Sequence, residues 1–361
     1  MDVGEFERAG LYDPTMAGAE DRRALLDLLT AEGATIEEMQ SALADDRLVG
    51  LAVDTVVRPP GERITFDEMC EQAGLDPLAV TSLLRAAGFA RPDPGDRVFT
   101  DADVRCFRFL SMITLLDDAA LGLQVTRAAG AAMSSLAEAE LAAVRSSVEG
   151  PLRETGAGEL EQAQSFRAVA SVLPELLHVL DVFHRRHLLV GMRTRILWDG
   201  GRPNVDAAIG FADVVGYTTQ VLHVDAAGLA AMVDRFETAA RDVIADGGGR
   251  LVKLIGDEVM FQAATADRGC RIAADLLATF ASDAALPDLR VGLAYGQVLA
   301  FEGDYYGRAV NVAARLVKDA APRSALVTRD VRDGAGGEFA FESVGPRPLK
   351  GIGTIEAFRL G

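Results

Sequence analysis

Cysteine is scarce in this chain. Cys70, Cys106 and Cys270 are the only three in 361 residues, an odd number, widely spread and without the close spacing of metal ligands. A disulfide framework and a zinc site are therefore not expected, and a reducing compartment suits the pattern. Long apolar runs are missing as well. Hydrophobic residues make up 49% of the chain, yet no stretch approaches the roughly 18 uncharged apolar residues that suggest a membrane span. The opening "MDVGEFERAGLYDPT" has acids where a secretory signal carries a basic start and an apolar block. The expectation is a cytoplasmic protein. Basic residues are the minority, 36 Lys and Arg against 54 Asp and Glu, for a net charge of -18. Such a balance opposes nonspecific binding to nucleic acid or anionic lipid.

What is present divides into two patterns. The length predicts two domains. Residues 20–197 place apolar side chains at three- and four-residue intervals, as in "EDRRALLDLLTAEG" and "FRAVASVLPELLHVLDVFHRRHLLVGM", which is the spacing of amphipathic helices. Strand signals are nearly absent there. The stretch "WDGGRPN" at 198–204 then collects residues that break helices. Beyond it, short apolar runs alternate with helical patterns over roughly 225–246 and 266–281, in the order β-α-β-β-α-β followed by a further helix. That order predicts one sheet with helices packed on one face. The expected division is a helical domain over 1–190, a hinge over 191–204 and an α+β domain over 205–361.

Charges inside the apolar strands are the informative positions. Asp213 closes the first run in "FADVVGYTT", before Gly216, Tyr217 and Thr218. A carboxylate there can hold a hard cation while backbone N–H groups meet phosphate oxygens, although a turn aspartate is the bland alternative. Asp257 follows Gly256 in "KLIGDEVM", where a hairpin turn is the first reading. Lys253 lies four residues before it, roughly 13 Å along an extended strand, too far for a salt bridge without a tight turn. The two charges therefore need separate partners. Asp304 sits in "FEGDYYGRAVN", Asn311 and Arg315 share one helix face in "NVAARL", and Lys350 lies in "PLKGIG". Each has an ordinary surface explanation when taken alone.

Together, "FADVVGYTT", "KLIGDEVM", "GDYYGRAVNVAARL" and "LKGI" resemble the class III adenylyl cyclase catalytic domain, in the family's order and over about residues 204–360. The resemblance implies a ferredoxin-like (βαββαβ) cyclase domain acting as a homodimer, with two active sites at the interface. It implies that Asp213 and Asp257 bind two Mg²⁺ or Mn²⁺ ions per site and that Lys253 and Asp304 select the adenine of ATP. Asn311 and Arg315 would stabilise the transition state, and Lys350 would meet the triphosphate. Guanylyl cyclases of the family typically carry Glu and a small residue such as Cys at the two base-reading positions, so Lys253 with Asp304 favours ATP.

The helical half is similar in layout to soluble mycobacterial-type cyclases, whose N-terminal domain inhibits the catalytic domain at neutral pH and releases it in acid. That likeness adds a fatty acid in the helical domain as a possible ligand. His178, His184 and His187 fall within ten residues, and histidine titrates between pH 5 and 8. They are the candidates for a pH switch, against a solvated helix face. The segment 64–89 has a helix-turn-helix flavour but holds one basic residue, Arg85, against Asp67, Glu68, Glu71 and Asp76. Phosphate contacts need the reverse balance, which opposes a transcription regulator. An ATP sensor without turnover is opposed by the full set of site residues. A diguanylate cyclase is opposed by the missing GG(D/E)EF sequence.

Overall fold

The computed structural model describes residues 2–116, 119–192, 204–217 and 224–361. The chain divides into two compact units, Met1–Arg193 and Thr194–Gly361. The expected hinge, 191–204, lies mostly on residues 193–203, outside the described residues.

The first unit is helical: α1 (Val3–Arg8), α2 (Ala19–Ala31), α3 (Ile36–Ala44), α4 (Leu51–Val57), α5 (Phe66–Ala73), α6 (Pro77–Ala86), α7 (Asp101–Leu116), α8 (Ala119–Val144), α9 (Gly150–Thr155), α10 (Glu159–Ala170) and α11 (Leu173–Gly191). Several starts are written locally. Asp2 with Glu5, Thr35 with Glu38 and Thr65 with Glu68 are reciprocal capping boxes, which satisfy backbone N–H groups that a helix start leaves unpaired. One core joins Phe6, Leu25, Leu29, Met39 and Leu51 with Ala163 of α10. The Arg22 guanidinium locks α2 to α10 by donating twice to Glu159, both at 2.6 Å. A second core, around Phe66, Met69, Leu83 and Phe107, holds the 64–89 segment. There α5 and α6 meet at Gly74, whose φ of 70° is the left-handed value a tight helix end requires. Helix α11 has no buried residue along its 19 residues, and the short α9 has none either.

The second unit runs β1 (Asn204–Val214), α12 (Ala226–Asp246), β2 (Arg250–Ile255), β3 (Glu258–Ala263), α13 (Ala266–Ser282), β4 (Leu289–Phe301), β5 (Asp304–Tyr306), α14 (Arg308–Asp319), β6 (Ala325–Thr328), α15 (Arg329–Gly334), β7 (Phe341–Leu349) and β8 (Gly353–Leu360). The strand order is β2-β3-β1-β4-β6-β8-β7, with β5 folded back on β4. Its first four strands pair antiparallel as β2-β3-β1-β4, the ferredoxin-like arrangement that the family resemblance implies.

The expectation of helices on one face needs correction. Ala208, Ala212 and Val214 of β1 point into a core with α12 and α13. Their alternates Ala207, Ile209 and Phe211 point into a second core with Val312, Ala313, Leu316 and Val317 of α14. A strand buried on both faces needs a cover on each, and α14 supplies the second. It lies so close that a Cβ on Gly292 would come within 2.3 Å of the Val317 nitrogen.

Candidate active site

Asp213 occupies the penultimate position of β1, where side-chain alternation directs it to the α14 face of the sheet. It is 3% exposed. Its register neighbours are Glu258 on β3 and Arg290 on β4. Arg290 donates from Nε at 2.8 Å and Nη2 at 2.5 Å to Oδ2. Lys318, in the last turn of α14, donates to Asp213 Oδ1 at 3.2 Å and to Glu258 Oε2 at 2.8 Å. A buried carboxylate is costly without such compensation. The Glu258 carboxyl is pushed above its ordinary range, first by burial and also by the charges of Asp213 and Asp257, which outweigh the pull of Lys318.

Asp257 does stand in the β2–β3 turn, beside Gly256 at φ 63°. The turn also places it at the end of β1, because its carbonyl accepts the Val214 N–H at 3.1 Å. One hairpin and one neighbouring strand thus bring Asp213, Asp257 and Glu258 to the same end of adjacent strands. Two hard carboxylates, with phosphate oxygens and water completing the shell, are the usual way in which proteins hold magnesium. The donor set therefore fits a divalent cation, and Asp213 is the member already surrounded by positive charge.

Lys253 and Asp304 form a second cluster. The Lys253 ammonium donates to Asp304 Oδ2, while the Tyr305 N–H donates to Oδ1 at 2.8 Å. Arg250 Nη2 donates to the Gly303 carbonyl at 3.0 Å and ties the β4–β5 hairpin to β2. Among the described residues no hydrogen bond or ion pair connects this cluster to the one around Asp213.

Asn311 and Arg315 lie on the exposed face of α14, opposite its buried Val312, Leu316 and Val317. Neither side chain has a partner among the described residues. Lys350 is exposed in the β7–β8 turn. Gly216 adopts φ 76° just after β1, and Tyr217 packs against the α12–α13 core. Thr218 lies outside the described residues. His178, His184 and His187 are exposed on α11 of the helical unit.

Sequence reasoning missed Arg290, Lys318 and Glu258. Arg290 opens an apolar strand, the same signal that singled out Lys253. Lys318 follows Arg315 by three residues, on the same side of α14. Glu258 stands next to Asp257 within the quoted motif.

Comparison with known proteins gives two family matches: "Adenylate cyclase regulatory domain" over residues 8–193, and "Adenylate and Guanylate cyclase catalytic domain" over residues 202–361. An adenylate cyclase of Streptomyces coelicolor is 32% identical, covering 86% of this chain and 89% of that protein. A pH-sensitive adenylate cyclase of Mycobacterium tuberculosis is 30% identical, covering 94% and 88%. An uncharacterised protein of the same organism is 34% identical over 100% of this chain and 94% of its own length.

Proposed function

The chain belongs to the adenylate cyclase family and is a cyclase enzyme, and on that premise we propose that it converts ATP to 3′,5′-cyclic AMP and pyrophosphate at sites shared by two copies. The observation that carries the choice of ATP is the Lys253–Asp304 pair. Adenine presents an acceptor at N1 and a donor at its 6-amino group. A lysine donor beside a carboxylate acceptor matches both, and guanine shows the opposite pattern.

In the reaction the ribose 3′-oxygen forms a bond to the α-phosphorus, the 3′-hydroxyl proton leaves, and the bond to pyrophosphate breaks. Two divalent cations supply acidification of that hydroxyl and neutralise triphosphate charge. Asp213 and Asp257 would hold them. Arg315 would place a permanent positive charge where charge grows on the α-phosphate, and Asn311 would orient the ribose. Lys350 would meet the triphosphate, and the backbone at Gly216 and Tyr217, continuing to Thr218, would offer N–H groups to its oxygens.

Sharing between subunits is supported by what a single chain leaves unused. Among the described residues the carboxylate and base-reading clusters are not connected, and Asn311 and Arg315 face outward without partners. Ile255, Phe301 and Tyr306 are exposed apolar side chains near the same elements, and Leu177, Phe183, Leu188 and Leu189 are exposed on α11. A second copy covering these surfaces gives a homodimer with two equivalent sites. A cytoplasmic location, where ATP is abundant, belongs to the same reading. Among the described residues no helix is long and apolar enough to cross a membrane.

Regulation by pH is assigned to α11. His178 and His184 flank Asp181 by three residues on either side. The Asp181 carboxyl is held low first by its hydrogen bond from Arg185, and also by the charges of these two histidines. Protonation would concentrate positive charge beside Arg185 and Arg186 and favour a different helix arrangement. A fatty acid in the helical unit has less support: the surface hollow described there, lined by Ala34 and Ile36 together with Glu5, Thr30, Gly33, Thr35 and Glu37, lies open to solvent and carries two carboxylates in its wall.

The test is to incubate the purified chain with ATP or GTP and Mn²⁺ and to separate the products. Cyclic AMP from ATP, with little cyclic GMP from GTP, is expected. Absence of cyclic product with either nucleotide at both acid and neutral pH would overturn the reading.

A further inference from the structure

Two cations compensate the buried Asp213, and they are not equivalent. Arg290 lies opposite Asp213 across the β1–β4 ladder, donates to it twice, and is itself anchored by a bond from Nη1 to the Lys318 carbonyl at 3.2 Å. Lys318 reaches in from the side on a flexible stem, with its side chain 53% exposed. Its ammonium bridges Asp213 Oδ1 and Glu258 Oε2. A bridging position between two carboxylates is a cation position. The helix end behind it also favours a positive charge.

We infer that Lys318 is a resident counter-ion of the metal site: its ammonium holds the Asp213 and Glu258 carboxylates in place in the metal-free protein and competes with the divalent cation for them. This rests on reading Asp213 as a metal ligand. A divalent ion carries twice the charge of the ammonium and displaces it, while Arg290, pinned by the strand register, stays on Oδ2. Lys318 therefore raises the metal concentration at which the site fills. It is a positioning residue that acts through the carboxylates.

The experiment is a Mn²⁺ titration of the full chain without nucleotide, following the electron paramagnetic resonance signal of the free ion. Lys318→Met should bind Mn²⁺ about three- to tenfold more tightly than wild type, the range expected for removing one partly exposed competing charge. Lys318→Arg, which restores a cation, should return the affinity towards wild type. Arg329→Met serves as the control. It removes a cation paired with Glu356, away from the site, and leaves its partner in place. Its Mn²⁺ affinity should match wild type. Unchanged or weaker binding in a folded Lys318→Met would overturn the inference. Equal tightening in Arg329→Met would also overturn it, because the effect would then be one of overall charge. Asp213→Asn separates the two levels: if it binds Mn²⁺ as well as wild type, the metal reading itself fails. If it loses binding while Lys318→Met is unchanged, only the role of Lys318 falls.

Discussion

Lys253 on β2 and Asp304 on β5 form an ion pair although β3, β1 and β4 stand between their strands in the sheet order. The β4–β5 hairpin makes this possible. Glu302 at φ 50° and Gly303 at φ 83° reverse the chain, Tyr305 buries itself in the α14-side core, and Asp304 is carried across to β2. A pair held this way presents a donor and an acceptor side by side. Lys253→Glu combined with Asp304→Cys should lower ATP turnover by orders of magnitude, since mismatched polar groups in a base pocket are heavily penalised. The expected accompaniment is a gain of GTP use. Steady-state kinetics with both nucleotides checks it, and unchanged ATP kinetics would remove the pair as base reader.

Arg315, outward-facing and without a partner among the described residues, predicts complementation with Asp213 across a shared site. Asp213→Ala and Arg315→Ala should each be nearly inactive. Mixed and allowed to exchange, about half of the dimers pair one of each in a C2 assembly, and each of these has one intact site. Activity should return to about a quarter of wild type if the sites act independently. A mixture that stays inactive while labelled subunits exchange would rule out shared sites.

The histidines give a pH prediction. Changing His178, His184 and His187 together to Gln should flatten the ratio of activity at about pH 5.5 to that at about pH 8, because no group on α11 would then change charge across the histidine range. Were the ratio to stay at its wild-type value, the switch would lie elsewhere.

Glu38 predicts a different pH effect, on stability. Burial pushes its carboxyl up, but the Thr35 N–H and the guanidinium groups of Arg63 and Arg58 pull it further down, so it ends below its ordinary value of 4.5. A lowered carboxylate stabilises the fold above that ordinary value, and the contribution disappears as pH falls through the lower, folded value. Glu38→Gln should cost about 1 kcal/mol at neutral pH and progressively less below about pH 4.5. Denaturation followed by circular dichroism at several pH values would show it, and a difference independent of pH would count against this account.

Gly292 predicts a packing effect. An added methyl would meet the Val317 nitrogen at 2.3 Å and the Ala313 carbonyl oxygen at 2.5 Å, both backbone atoms that cannot move without shifting α14. Gly292→Ala should cost about 3 kcal/mol or more. At Gly269 the nearest atom is the Ala208 side chain at 2.8 Å, so Gly269→Ala should cost less. Thermal melts of the two variants, compared side by side, decide whether α14 is seated as closely as described.

The sequence alone determined what depends on near neighbours. Helical periodicity, the β-α-β-β-α-β order and the positions of Asp213, Lys253 and Asp257 within apolar runs are local patterns, readable because a strand or a helix repeats every few residues. Tertiary structure decided which of these positions meet. An amphipathic helix carries no mark of the sheet face it will cover, so the place of α14 on the second face emerged only when β1 proved buried on both sides. The pairing of Lys253 with Asp304 spans 51 residues, and Asp213 finds Arg290 and Lys318 at separations of 77 and 105. No periodicity reaches that far. Those contacts exist because strand order and a close helix–sheet approach bring distant charges to one strand end, where a buried carboxylate must be compensated by whichever cations the fold delivers.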